Sequence, residues 1–160
     1  YPFLAERSAA ERARLRALAA EFLARKEFQG AGGLSITDEI ALAIAAQAVL
    51  PVLHLGLGWY DDFVGVVVHP GEVVARRSET DEAGVVHAWE EVLSGEAMDG
   101  GPVMLSWLDV AMAGESAERG YNVVIHEFIH KIDMRDGLAD GCPPLPTRAA
   151  RGGNPPLPEL

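Results

Sequence analysis

The sequence predicts an α+β fold: a small sheet, supporting N-terminal helices, and a later helix carrying His126-Glu127-Phe128-Ile129-His130. Three observations lead there. Capped, helically spaced apolar residues occupy the first fifty positions, short β-branched runs fill residues 53–107, and a helical apolar pattern returns at 121–134. The length of 160 residues suits one domain with a real core.

The first helix opens at Ser8 and Glu11, an S-x-x-E capping box in which each side chain satisfies a free backbone donor. Leu15, Leu18, Phe22 and Leu23 follow at helical spacing, so the helix is expected to end near Phe28, before a linker with glycines at 30, 32 and 33. A second helix is expected from Thr37 to Pro51, buried because residues 41–50 are apolar on nearly every side. The runs at 64–68, 72–75, 85–89 and 103–105 read as strands of one small sheet, divided by turn pairs such as Pro70-Gly71 and Gly100-Gly101. Residues 108–118 return to helix, Gly120 breaks it, and 121–134 form the helix that carries the chemistry. The last 18 residues hold six of the ten prolines and two copies of Pro-Pro-Leu-Pro. Residues 1–142 are therefore expected to form the domain and 143–160 an extended or disordered tail.

Composition excludes several classes. A net charge of −11 is repelled by phosphate backbones and anionic membrane faces, which argues against direct nucleic-acid binding. No apolar run approaches the roughly 18 residues of a membrane helix, and the start lacks the basic and apolar regions of a secretory signal. One cysteine, Cys142, rules out an internal disulfide framework. A cytoplasmic protein is the default expectation. The first residue is Tyr rather than Met, as in a trimmed version of something longer.

The residues at 126–130 spell H-E-x-x-H. Side chains four apart on a helix stand one above the other, so His126 and His130 can share one zinc ion. Glu127 lies about 100° round the helix, where it can reach a water without being a ligand. A zinc ion there acidifies the water, and Glu127 takes its proton to make the nucleophile for a peptide carbonyl. The rival is an ordinary helix with two satisfied histidines. It is disfavoured because Val123, Val124, Ile125, Phe128, Ile129 and Ile132 place the helix in the interior, where buried polar groups need partners. A catalytic zinc usually takes a third protein ligand. The metzincin arrangement is excluded, since Asp133 stands where its glycine belongs and no histidine follows His130. Asp133 reads either as a partner to a ligand histidine or as a plain C-terminal helix residue. Asp136, Asp140, Cys142 and Glu159 have no recognisable ligand spacing.

The stretch His126-Glu127-Phe128-Ile129-His130-Lys131-Ile132-Asp133-Met134-Arg135-Asp136-Gly137 resembles the active-site segment of the Mlc titration factor A family of zinc-dependent peptidases. Upstream, the resemblance runs through Leu50-Pro51-Val52-Leu53, Leu55-Gly56-Leu57, residues 66–70, Gly101-Pro102-Val103, Leu105-Ser106-Trp107-Leu108-Asp109 and Tyr121-Asn122-Val123-Val124-Ile125, covering roughly residues 1–146. It implies a zincin-like α+β fold with a metal site similar to that of the anthrax lethal factor protease domain. It implies zinc held by His126 and His130, with Glu127 as general base. Family members are cytosolic aminopeptidases, which implies a peptide substrate. The founding member binds the transcriptional repressor Mlc and relieves repression of a glucose transporter gene, so a repressor is the other implied partner. In the family the third ligand is a glutamate on a later helix with a tyrosine near it. This chain stops before such a helix, so neither is carried over, and Tyr60, Tyr121 and Glu159 are not assigned to those roles. A domain lacking its C-terminal helical part and a shortened relative both fit.

Other features read as ordinary. His54, His69 and His87 are expected at surface or capping positions, and the glycines at 30–33 lack the Lys-Ser/Thr of a phosphate loop. Cys142 has no activating neighbour, and Ser106 no nucleophile-elbow setting. The Pro-Pro-Leu-Pro copies read as spacer rather than as ligands for an aromatic groove. The strand at 103–105 is the candidate edge against which a substrate backbone pairs. Three functions stay open: a zinc metallopeptidase of aminopeptidase type, a regulatory module that sequesters a repressor, and an N-terminal part inactive alone.

Overall fold

A computed structural model describes residues 1–71, 73–80, 86–93, 95–137 and 141. The elements run α1 (Pro2–Ala5), α2 (Ala9–Arg25), β1 (Glu27–Gly30), α3 (Asp38–Ala48), β2 (Gly65–His69), β3 (Val73–Thr80), β4 (Val86–Leu93), β5 (Gly95–Ala97), β6 (Val103–Ser106), α4 (Trp107–Ala111), α5 (Ala113–Glu118) and α6 (Val123–Asp133). Short 3-10 turns add Leu57–Tyr60 and Met134–Asp136. The architecture is mixed α+β, as the sequence predicts. Among the described residues no helix is long and apolar enough to cross a membrane.

The caps behave as local chemistry dictates. Ser8 and Glu11 close the capping box on α2, Thr37 accepts from the Ile40 N–H to start α3, and Asn122 accepts from the Ile125 N–H to start α6. Gly56 turns the chain into the first 3-10 segment at φ +90, a conformation that side chains with a Cβ rarely adopt.

Four expectations need correction. The first helix does not reach Phe28. It ends at Arg25, and Glu27 to Gly30 form β1, paired in parallel with β2 through Glu27↔Gly65 and Gly30↔Val68. The ladder and the packing of Phe28 on Phe22 override the local helical pattern. Nor is there one sheet of the expected runs. β1, β2, β6 and β5 form a four-stranded sheet in that order, while β3 and β4 make a separate antiparallel hairpin. The strand at 103–105 is interior rather than an edge, because β5 pairs antiparallel along its other side. The helix expected at 108–118 divides into α4 and α5 at Met112.

One face of the sheet presents Val66, Val68, Val103 and Leu105, all fully or almost fully buried, to a core shared with Leu15, Leu18, Phe22, Ile44 and Phe128. This is the one-sided burial that lets a small mixed sheet be covered by helices. At its centre Phe128 of α6 meets Phe22, Tyr60 and Phe63, with ring centroids 5.5, 5.3 and 5.9 Å away. Edge-to-face contacts of this kind add to the area buried. They fix the roll of α6 and so decide which of its residues face outward.

The expected tail at 143–160, with Cys142, Asp140 and Glu159, lies outside the described residues.

Candidate metal centre

α6 turns its apolar side inward through Val124, Phe128 and Ile132. The opposite side then carries His126 and His130, one helical turn apart. Their rings stand at 89° with centroids 4.6 Å apart, and the two Nε2 atoms are 3.1 Å from each other. Two nitrogens on one tetrahedral zinc lie roughly 3.3 Å apart, so the imidazoles fit two such positions with a small adjustment. Burial, together with His130 beside it, lowers the pKa of His126 and favours the neutral ring that ligates metals.

Glu127 lies round the helix towards β5 and is 6% exposed. Burial pushes its carboxyl up to about 7, and Glu96 nearby adds to this, while a hydrogen bond donated by the Ala97 backbone N–H opposes it. The fit is close. A Cβ on Gly95 would lie 2.7 Å from Glu127 Cγ and 2.9 Å from Val123 Cγ2, so only glycine lets β5 approach the helix this nearly. The sheet edge against Glu127 is thus β5, not the strand at 103–105.

On the next turn of the same helix face Lys131 is fully buried. Its ammonium donates to the carbonyls of Met98 and of Gly101, the latter at 2.7 Å, and lies 4.8 Å from the centre of the Phe63 ring. Burial lowers its pKa, with Asp62 and Asp99 acting against this. Lys26 packs on the same ring. Its ammonium, 3.9 Å from the ring centre, donates to the carbonyls of Tyr60 and Phe63.

On the far side of His126 an open cavity of about 420 Å³ is lined by Phe3, Leu50, Tyr121, Ile125 and Ile129, with Arg7 at its rim. The Tyr121 ring lies 5.9 Å from that of His126. Burial raises the Tyr121 pKa, and the carboxylates of Glu127 and Asp109 raise it further, so the hydroxyl stays protonated.

Asp133 makes no bond to either histidine among the described residues. Its Oδ2 accepts from the Gly141 N–H at 2.9 Å, and Oδ1 is buried without a partner, which matches a C-terminal helix residue. No group of three or more His, Cys, Asp or Glu side chains suited to a metal occurs among the described residues. Of the other histidines, His54 is exposed beside Glu11 at 3.8 Å, and His69 ends β2 with a buried Nε2 that has no hydrogen-bond partner among the described residues. His87 lies in β4.

Sequence reasoning missed Gly95, Ala97 and Lys131. A signal existed: a lysine four residues after Glu127 on the same helix face, and a glycine pair at 100 and 101 that can turn residues 95–97 back on 103–105.

Comparison with known proteins gives the family. The model of the glucose-regulated metallo-peptidase M90 family matches residues 1–152. The chain belongs to that family. Among its relatives, the protein named Mlc titration factor A from Salmonella arizonae is 38% identical over 152 residues, which cover 94% of this chain and 60% of that protein. The protein of the same name from Edwardsiella ictaluri is 39% identical over 148 residues, covering 92% of this chain and 56% of its own length. The chain therefore spans a little over half the length of the relatives it matches.

Proposed function

We propose that this M90 chain carries the catalytic helix of a zinc metallopeptidase with zincin-like architecture, acting on peptides from a free amino end. In this reading His126 and His130 are zinc ligands and Glu127 is the general base. The observation that supports it most directly is the 3.1 Å separation of the two Nε2 atoms on the helix that also carries the buried Glu127. Held by His126 and His130, zinc would supply Lewis-acid polarisation of a carbonyl and acidification of a water. The Glu127 carboxylate would take up a proton from water and give it to the leaving amine. The Ala97 N–H steadies the carboxylate between the two transfers. Among the described residues β5, rather than β6, is the outermost strand on this side of the sheet, and in this reading its backbone groups other than the Ala97 N–H meet an extended substrate. No third protein ligand is assigned, and a cytoplasmic location belongs to the same reading.

Zinc content and hydrolysis test this together. Wild type is expected to bind zinc, His126→Ala to lose it, and Glu127→Gln to keep it while losing hydrolysis. Full activity in Glu127→Gln would sink the mechanism.

The name of the relatives favours a second reading, capture of a transcriptional repressor of the Mlc type with the metal site unused for catalysis. There Glu127→Gln leaves repressor pull-down intact, and a repressor that fails to bind the wild-type chain would count against it.

A further inference from the structure

Lys131 is an expensive residue to bury. Taking an ammonium out of water costs several kcal/mol even after relaxation, and a Met or Leu would fill the same space beside Phe63 without that penalty. Its partners are two neutral carbonyls, and no ion pair involves it among the described residues. What an apolar side chain could not do is hold those carbonyls in place.

The carbonyls belong to Met98 and Gly101, the two ends of the turn joining β5 to β6, which also closes through the Gly101 N–H to the Met98 carbonyl at 3.1 Å. Glu127 and Lys131 are four apart and share a face of α6. Glu127 takes the N–H of Ala97, and Lys131 takes the carbonyl of the very next residue. Helix α6 thus grips the end of β5 through one donor and one acceptor in sequence, which fixes the strand both sideways and along its length. Gly95, without a side chain, lets the strand seat that closely.

We propose that Lys131 is a positioning residue that sets the β5 edge against α6 and, through Ala97, holds the Glu127 carboxylate in place. The inference rests on Glu127 being the base only for its catalytic consequence; the placement of β5 can be measured without any activity.

The test uses the full 160-residue chain with zinc present. In wild type, 15N-lysine labelling gives two side-chain signals, and that of Lys131 is expected to exchange slowly with water. A Lys131 signal exchanging as fast as a free lysine would overturn the proposal without any variant. In Lys131→Met, amide exchange at Ala97 and Gly101 is expected to accelerate at least about tenfold while Val66 and Val68 in β2 keep their protection. Unchanged exchange at Ala97, or an equal rise through β2, would also overturn it. Lys131→Arg keeps a donor and is expected to stay within about threefold of wild type at the same amides; Arg exchanging like Met would mean that the contact does not hold the strand. Zinc content is expected to be unchanged in Lys131→Met, and hydrolysis to fall at least about tenfold in kcat. A wild type that binds zinc but hydrolyses nothing defeats the peptidase reading alone, since the exchange data still decide where β5 sits.

Discussion

Replacing Glu127 with Gln is expected to flatten the pH dependence of stability in the metal-free chain. The side chain is 6% exposed, and its carboxyl is pushed from 4.5 up to about 7 by burial. Between those values the folded chain still holds a proton that the unfolded chain has released. A raised carboxyl contributes stability that is fully present below about pH 4.5 and is lost as pH rises through about 7. At about 1.4 kcal/mol per pH unit, the span from 4.5 to about 7 amounts to about 3 kcal/mol. Gln has no proton to lose, and its carbonyl oxygen can still accept from the Ala97 N–H. The variant is therefore expected to gain about 3 kcal/mol on wild type between about pH 4.5 and about pH 8. Urea unfolding in the presence of a chelator, followed by circular dichroism, reads this difference. Stability curves that run parallel across the window would show that the carboxyl is not buried as described.

Three further outcomes follow from the packing. Asn122→Ala removes the cap of α6 and leaves the Oε1 of the fully buried Gln47 without its 2.8 Å partner, at a cost of about 2–4 kcal/mol measurable by urea melts. Phe128→Ala empties the centre of the aromatic cluster and is expected to cost about 3–5 kcal/mol; a loss below about 1 kcal/mol would contradict the burial of that ring. Gly95→Ala places a methyl 2.7 Å from Glu127 Cγ, so it is expected to destabilise by about 1–3 kcal/mol while leaving zinc content unchanged, as elemental analysis would report.

The parts of this fold that local chemistry specifies could be read from the sequence. Ser8, Thr37 and Asn122 each cap a helix through their own side chains, and the spacing of Leu15, Leu18 and Phe22 or of Val124 and Phe128 marks an inward face. The spacing of His126 and His130 works the same way, because a helix alone converts four residues of separation into one face. β1 and β5 were not legible. Each is only three or four residues long, too short for a pattern to stand out, and each exists because a partner strand accepts it: β1 beside β2, β5 beside β6. The surroundings of Glu127 share that fate. The Ala97 N–H, the bare Gly95 and the carbonyls gripped by Lys131 converge only once the sheet edge is laid against the helix.

The chain contains only two lysines, and both place their ammonium groups on backbone carbonyls close to one phenylalanine ring. Ordinary proteins scatter lysines over the surface, where acylating reagents find them at once. Here a side-chain amine meets such a reagent only after letting go of its carbonyls. Acylation of Lys131 therefore serves as a clock for the opening of the β5–β6 turn, and acylation of Lys26 as a separate clock for the segment at Tyr60 and Phe63. Two modification sites that peptide mapping can tell apart thus report on two different seams of the same core.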